Sequence, residues 1–206
     1  MDDWNALEYD VLEAFAKLDG QRAARTGFPE VVYSEGKTTD QVTTILVAMK
    51  KTSEIVLATR VSADVAAVVK AHADLTVLLY FFGLKTLQSY EPIIIIQDIH
   101  YFPTARVLSL HPKPTTSATS QVVCVLCAGT SDLPVAEEAA VTLELAGVHV
   151  QRIYDVGVAG LHRLLRNRQA IQDADAIIVV AGMDGALPGV VVRTSQTYIY
   201  LWNGWL

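Results

Sequence analysis

The chain has 206 residues, 51% of them apolar and 18% charged, with a formal net charge of −6. That length and apolar share are enough for one packed core, or a core with a small lobe. Mild acidity without a long basic block argues against a nucleic-acid binder, which shows a basic stripe, yet allows a small anion held by a few local donors.

The opening decapeptide, MDDWNALEYD, is acidic and polar and has no secretory n-region. The periodic spacing of Leu7, Val11, Leu12, Phe15 and Leu18 predicts a helix from Leu7 to about Arg25, punctuated by Gly27 and Pro29. A short strand, Glu30 to Tyr33, follows and is closed by Gly36. Thr39 to Lys51 reads as a helix, Ile55 to Thr59 as a strand and Ala63 to Ala73 as a helix. Residues 1–74 are therefore expected to form a small N-terminal α/β lobe.

Residues 75–98 are very apolar, include the run Ile93 to Ile96, and show no amphipathic period. They read either as buried strands or as an insert foreign to the fold. The stretch Leu75 to Leu84 is too short for a bilayer, which needs roughly 20 apolar residues. No membrane partner and a cytoplasmic location are expected. Residues 99–120 are read as the connection between lobes, and Pro112 to Ser120, rich in Pro, Thr and Ser, marks the boundary.

The remainder alternates regularly. Val122 to Cys127 is a predicted strand. Pro134 to Ala146 is a helix, with Pro134 in its first turn and Gly147 just past its end. Val148 to Ile153 is a strand, Leu161 to Ile171 a helix and Ala176 to Val180 a third strand. Such alternation predicts right-handed crossovers and a parallel sheet over residues 121–192. The tail, 193–206, has no clear period and does not read as a finished element. Cys124 and Cys127 lie three apart in one strand and so point to opposite faces. Burial in the core fits them better than a disulfide or a shared metal, and implies a reducing compartment.

Ligands of parallel sheets bind beyond the carboxyl ends of the strands, and three informative turns fall there. Gly129-Thr130-Ser131-Asp132 joins a strand to a helix. It would gather backbone N–H groups, two hydroxyls and the positive end of a helix dipole at one point, which suits a phosphate; Ser131 and Asp132 would equally serve as a helix cap. Asp155 precedes Gly157 and Gly160. It would orient a ribose hydroxyl or act in proton transfer, while the glycines allow a backbone to approach a ligand or simply serve a turn. Asp184 stands in a third turn, GMDGALPG, as a candidate acid or base or as a simple turn former. Arg163 opens a helix and would face either an anionic group or solvent, with solvent the preferred reading. His72, His100, His111 and His149 share no metal-ligand spacing, so no metal site is expected and any divalent-ion requirement stays open.

The strings AGTSDLPVAEEA and AGMDGALPG resemble the PurE family of aminoimidazole ribonucleotide carboxylases and mutases. That family carries a histidine immediately before its Leu-Pro-Gly, where this chain has Ala186. AGTSDLPVAEEAA, YDVGVAGLHRLL and AGMDGALP, with LDGQRAARTGFPEVVYSEGKT (Leu18 to Thr38) and IHYFPTARVL (Ile99 to Leu108), are similar to the LarB family of pyridinium-3,5-biscarboxylic acid mononucleotide synthases. The resemblance leaves out roughly residues 75–98 and 193–206, which suggests a gene-model or splicing artefact there and a truncated chain.

The LarB resemblance implies a PurE-like three-layer α/β fold. It implies carboxylation of the pyridinium ring of nicotinic acid adenine dinucleotide with CO2 or bicarbonate and cleavage of the phosphoanhydride to release AMP, in the synthesis of a nickel-pincer nucleotide cofactor. No covalently bound cofactor is implied, and self-association is. Gly129, Thr130, Ser131 and Asp132 would hold a phosphate or ribose group. Asp155, Gly157 and Gly160 would line the nucleotide site, and Asp184 would serve phosphoanhydride hydrolysis in place of the family's usual glutamate. Arg25 and Phe28, from the RTGFPE string, would reach the adenylate end. The family's cysteine lies in an Asn-Ser-Cys-Ala segment that this sequence does not contain. The alternatives are a PurE-like carboxylase of purine synthesis and an inactive nucleotide-binding remnant.

Overall fold

A computed structural model of the chain describes residues 10–12, 15–81, 98–112, 114, 120–182, 185–193 and 198–203. The chain divides into two compact units, Met1–Pro112 and Lys113–Leu206.

The first unit opens differently from the predicted helix. Strands β1 (Asp10–Leu12) and β2 (Ala16–Leu18) pair antiparallel, with Leu12 opposite Ala16, and among the described residues of this segment only Arg22–Thr26 is helical (α1). The apolar spacing of this segment satisfies either period, and tertiary packing decides between them. Leu18 enters the core, with Leu12 and Ala16 against it, while Lys17 points out.

The rest of this unit is a four-stranded sheet, order β3-β4-β6-β5, from β3 (Val31–Tyr33), β4 (Leu57–Thr59), β5 (His100–Phe102) and β6 (Val107–Ser109). Strands β3 and β4 run parallel, and β6 is antiparallel to both its neighbours. Thus residues 100–109, read from sequence as connecting chain, form two sheet strands. Helix α2 (Thr39–Lys50) starts at a reciprocal cap: Thr38 Oγ1 accepts from Gln41 N at 3.2 Å, and Gln41 Oε1 accepts from Thr38 N at 3.0 Å. Helix α3 (Ala63–Phe81) runs on past Ala73, so the first part of the segment read as an insert is helical. Residues 82–97, with the isoleucine run, lie outside the described residues. One core joins Val32, Ala58 and Leu108 of the sheet to Val42, Ile45 and Leu46 of α2 and Ala66, Val69 and Ala73 of α3. Among the described residues no helix is long and apolar enough to cross a membrane.

The second unit holds the predicted parallel sheet, with one strand more than expected. Its order is β10-β9-β7-β8, from β7 (Val122–Cys127), β8 (His149–Ile153), β9 (Ala176–Ala181) and β10 (Tyr198–Asn203), all parallel. Residues 198–203 of the tail are therefore a regular edge strand, paired with β9 from Ala176 to Ala181. Helix α4 (Leu133–Leu145) covers one face, where Ala136 and Ala140 meet Val125, Cys127 and Val180. Helices α5 (Leu161–Arg166), α6 (Arg168–Gln172) and α7 (Ala186–Val192) cover the other, where Leu164, Ile171, Leu187 and Val191 meet Cys124, Leu126, Ile177 and Val179. Both cysteines are free and buried, on opposite faces of β7.

The predicted helix over 161–171 is broken at Asn167, which ends α5 and starts α6. Its Nδ2 donates to Arg163 O at 2.9 Å. Asparagine side chains compete for backbone partners in this way and interrupt helices.

Candidate functional site

The chain crosses from β7 to β8 on one side and from β9 to β10 on the other. The connections thus reverse direction between neighbouring β7 and β9, and the carboxyl edge at such a reversal is where parallel sheets form a ligand crevice. Ala128 N donates to Val180 O at 3.0 Å, which seats the turn after β7 at this point.

That turn is a single 3-10 turn, Thr130–Asp132, running directly into α4. Gly129 is extended, and its N–H donates to Asp132 Oδ2 at 2.9 Å. Asp132 N returns a bond to Gly129 O at 3.1 Å. Asp132 is buried, so its carboxylate is spent on holding the turn. Of the four residues singled out from sequence, Gly129 and Asp132 build the turn while Thr130 and Ser131 are exposed on it. The groups able to meet an anion are therefore the amides and hydroxyls of Thr130 and Ser131, at the positive end of α4.

The turn after β8 is strapped to the end of β7. Val156 N donates to Cys127 O at 3.1 Å and Gly157 N to Ala128 O at 2.9 Å. A Cβ on Gly157 would lie 2.8 Å from Ala128 O, so this glycine answers to the protein's own backbone. Gly160 is buried beneath the Arg163 side chain, and a Cβ there would sit 2.5 Å from Nε. Asp155 has φ of +56°, a left-handed conformation uncommon outside glycine. Arg163 Nη1 donates to Asp155 Oδ2, both side chains being partly exposed. Of the two readings of Arg163, the anionic one holds: it is the ion-pair partner of the candidate aspartate.

After β9, Gly185 N donates to Gly182 O at 3.2 Å and Gly185 takes φ of +57° ahead of α7. Asp184, between these glycines, lies outside the described residues. Arg25 and Phe28 belong to the first unit. Arg25 pairs with Asp19, and the half-buried Phe28 accepts from Thr26 Oγ1 at 3.0 Å through its carbonyl.

An ionic cluster behind the turns went unread in the sequence. Arg152 on β8 donates to Glu144 through Nη1 at 2.5 Å and Nη2 at 2.8 Å, and to Glu137 through Nε at 3.1 Å. Tyr154 donates its hydroxyl to Glu137 Oε1 at 2.9 Å. Hydrogen bonds to Glu144 and Glu137 hold Arg152 above the ordinary arginine range, against the effect of burial. Burial, then the bond to Glu137, pushes the Tyr154 phenol up. The cluster ties α4 to the strand that delivers Asp155. Burial likewise pushes the Cys124 thiol up to about 11 and raises that of Cys127. Among the described residues, no group of three His, Cys, Asp or Glu side chains is placed to hold a metal.

Comparison with known proteins bears on both units. Residues 9–78 match the LarB/PurE-like N-terminal domain. The match contains the whole Leu18 to Thr38 string and runs past residue 75, into the segment read as unmatched. The chain is also 38% identical over 185 residues to an uncharacterized protein of Methanocaldococcus jannaschii. That alignment covers 89% of this chain and 65% of the relative, so the chain spans just under two thirds of the length of the protein it matches. Beyond the matched residues in sequence, the parallel sheet covered on both faces agrees with a PurE-like α/β fold.

Proposed function

We propose that the chain handles a pyridine dinucleotide in the manner of the LarB/PurE-like class, with nicotinic acid adenine dinucleotide as substrate, and carries the phosphoanhydride-cleaving half of a carboxylation that takes CO2 or bicarbonate as co-substrate. The observation that carries this reading is the turn after β7. Its exposed Thr130 and Ser131 stand at the start of α4, at the sheet's point of reversal, in a chain with a LarB/PurE-like N-terminal domain. In this reading the dinucleotide's pyrophosphate meets Thr130 and Ser131. Asp155, already paired to Arg163, accepts from a ribose hydroxyl and does not serve as a base. Asp184 is assigned to the water that cleaves the phosphoanhydride: water adds to phosphorus, AMP leaves, and a proton is released.

Ring carboxylation needs a nucleophile that first adds to the electron-poor pyridinium, so that the ring can attack CO2 and then expel the nucleophile and a proton. Burial keeps both Cys124 and Cys127 as thiols, so neither supplies it. Purified chain incubated with nicotinic acid adenine dinucleotide and bicarbonate should therefore release AMP without gaining carboxylated mononucleotide, read by mass spectrometry. Absence of both binding and AMP release with this substrate would overturn the reading. Turnover of aminoimidazole ribonucleotide would replace it with the purine-pathway alternative, which Ala186 opposes.

A further inference from the structure

We propose a second anion site, in the first unit, that takes a phosphate group at the carboxyl edge of β3 and β4. These two strands are parallel neighbours, and each leads into a helix: β3 into α2 and β4 into α3. Both helices pack into the same core on the same face of the sheet, so their N-termini stand side by side beyond the strand ends. Helix N-termini direct unpaired N–H groups and positive potential at one point.

The edge also carries a buried polar side chain. Ser34 N donates to Thr59 O at 3.0 Å, which extends the β3–β4 pairing by one residue. By alternation Ser34 then shares the face of Val32, the face α2 covers, with Tyr33 opposite. Ser34 is 7% exposed and its hydroxyl has no partner. A buried hydroxyl left unpaired is costly and calls for an explanation such as a ligand. Beside it, Arg60 and Arg106 take φ of +57° and +52° and are locked together. Val61 N donates to Arg106 O at 2.8 Å, and Arg106 Nη2 donates to Arg60 O at 3.2 Å. Lys37 lies in the turn, its Nζ donating to Tyr33 O at 2.7 Å. Arg60, Arg106 and Lys37 thus all lie in the connections next to the ends of these strands. The acids nearby are Glu35, which accepts from Tyr33 Oη at 2.7 Å and lies 4.0 Å from Arg60 Nη1, and the first-turn residues Asp40 and Asp64. A phosphate accepts from several donors at once, and this edge offers a hydroxyl, helix amides and cationic side chains on separate elements.

The site is independent of Thr130 and Ser131, and its test separates the two. Full-length, 15N-labelled chain is titrated with inorganic phosphate and, separately, with AMP. The amides of Gly36, Lys37 and Thr38 should shift saturably. Arg60→Gly, which keeps the left-handed backbone accessible, should weaken the response about tenfold, and Ser34→Ala about threefold or more. Lys37→Met, on the exposed turn, gives a third reading if either of these fails to fold. Ser131→Ala should leave it unchanged. A tighter response to AMP identifies a nucleotide as the source and an equal one identifies bare phosphate; both sustain the site. Shifts confined to residues 129–131, no saturable shift, or indifference to Arg60→Gly and Lys37→Met would overturn it.

Discussion

Gly157 donates its N–H to the Ala128 carbonyl at 2.9 Å, and its Cα faces that oxygen so closely that an added Cβ would lie 2.8 Å from it. The obstacle is backbone, which cannot swing aside. Gly157→Ala should therefore part the Asp155 turn from the end of β7 and destabilise the second unit by about 1–3 kcal/mol. Gly189→Ala is the control. It lies within α7 with nothing within 4 Å of an added Cβ. It should stabilise by about 0.5–1 kcal/mol, the usual gain from replacing a helical glycine. Denaturant midpoints that move the same way for both would contradict this reading.

The turn after β7 separates structure from binding within two adjacent residues. Asp132 is buried and caps Gly129, whereas Ser131 is exposed. Asp132→Ala should cost about 1–2 kcal/mol, the scale of a lost cap. Ser131→Ala should leave stability within about 0.5 kcal/mol of the parent, as exposed substitutions do. It should nevertheless weaken dinucleotide binding several-fold in calorimetry. Equal nucleotide affinity in parent and Ser131→Ala would remove the turn from the proposed site.

Much of this fold was legible because its signals are local. The β7 strand is an unbroken apolar run, and Gly147, at φ of +82°, ends α4 where a helix-terminating glycine belongs. The three turns were located because turn residues announce themselves. What was missed depends on partners distant in sequence. Residues 10–18 fit a helix as well as a hairpin until Leu18 finds its core. Tyr198–Asn203 alternates aromatic and apolar residues and becomes a strand only by pairing with β9. Arg163 could not be assigned to Asp155 without the turn that folds back between them. The Arg152 cluster exists only where α4 crosses β8.

The two thiols offer a test of what the chain lacks. Cys124 Sγ donates to Ala170 O at 3.4 Å and Cys127 Sγ to Gly129 O at 3.5 Å, and both residues are fully buried. With Cys124 pushed up to about 11, its thiolate fraction at pH 8 is on the order of one in a thousand. Native protein should resist an aromatic disulfide reagent. Both cysteines should react at rates that rise with denaturant as unfolding does. Fast native labelling of Cys127, abolished by nicotinic acid adenine dinucleotide, would instead make it a nucleophile at the site.

The Arg152 cluster sets an alkaline limit on stability. Arg152→Met would leave Glu137 and Glu144, partly buried, without the cation between them, at a cost of about 2–4 kcal/mol. Tyr154 adds a pH signature. Its pKa is raised on folding, by burial first and then by the bond to Glu137. Its contribution is therefore fully present below about pH 10, the ordinary tyrosine value, and is lost as pH rises through the higher folded value. Cys124 acts in the same sense from about pH 9 to about pH 11, in both parent and variant. Tyr154→Phe should thus lower neutral-pH stability by about 1 kcal/mol, the worth of one hydrogen bond. It should also flatten, without abolishing, the decline above pH 10. If stability against pH kept the parental slope in Tyr154→Phe, the tyrosine would not be coupled to Glu137, and the strand carrying Asp155 would be held by Arg152 alone.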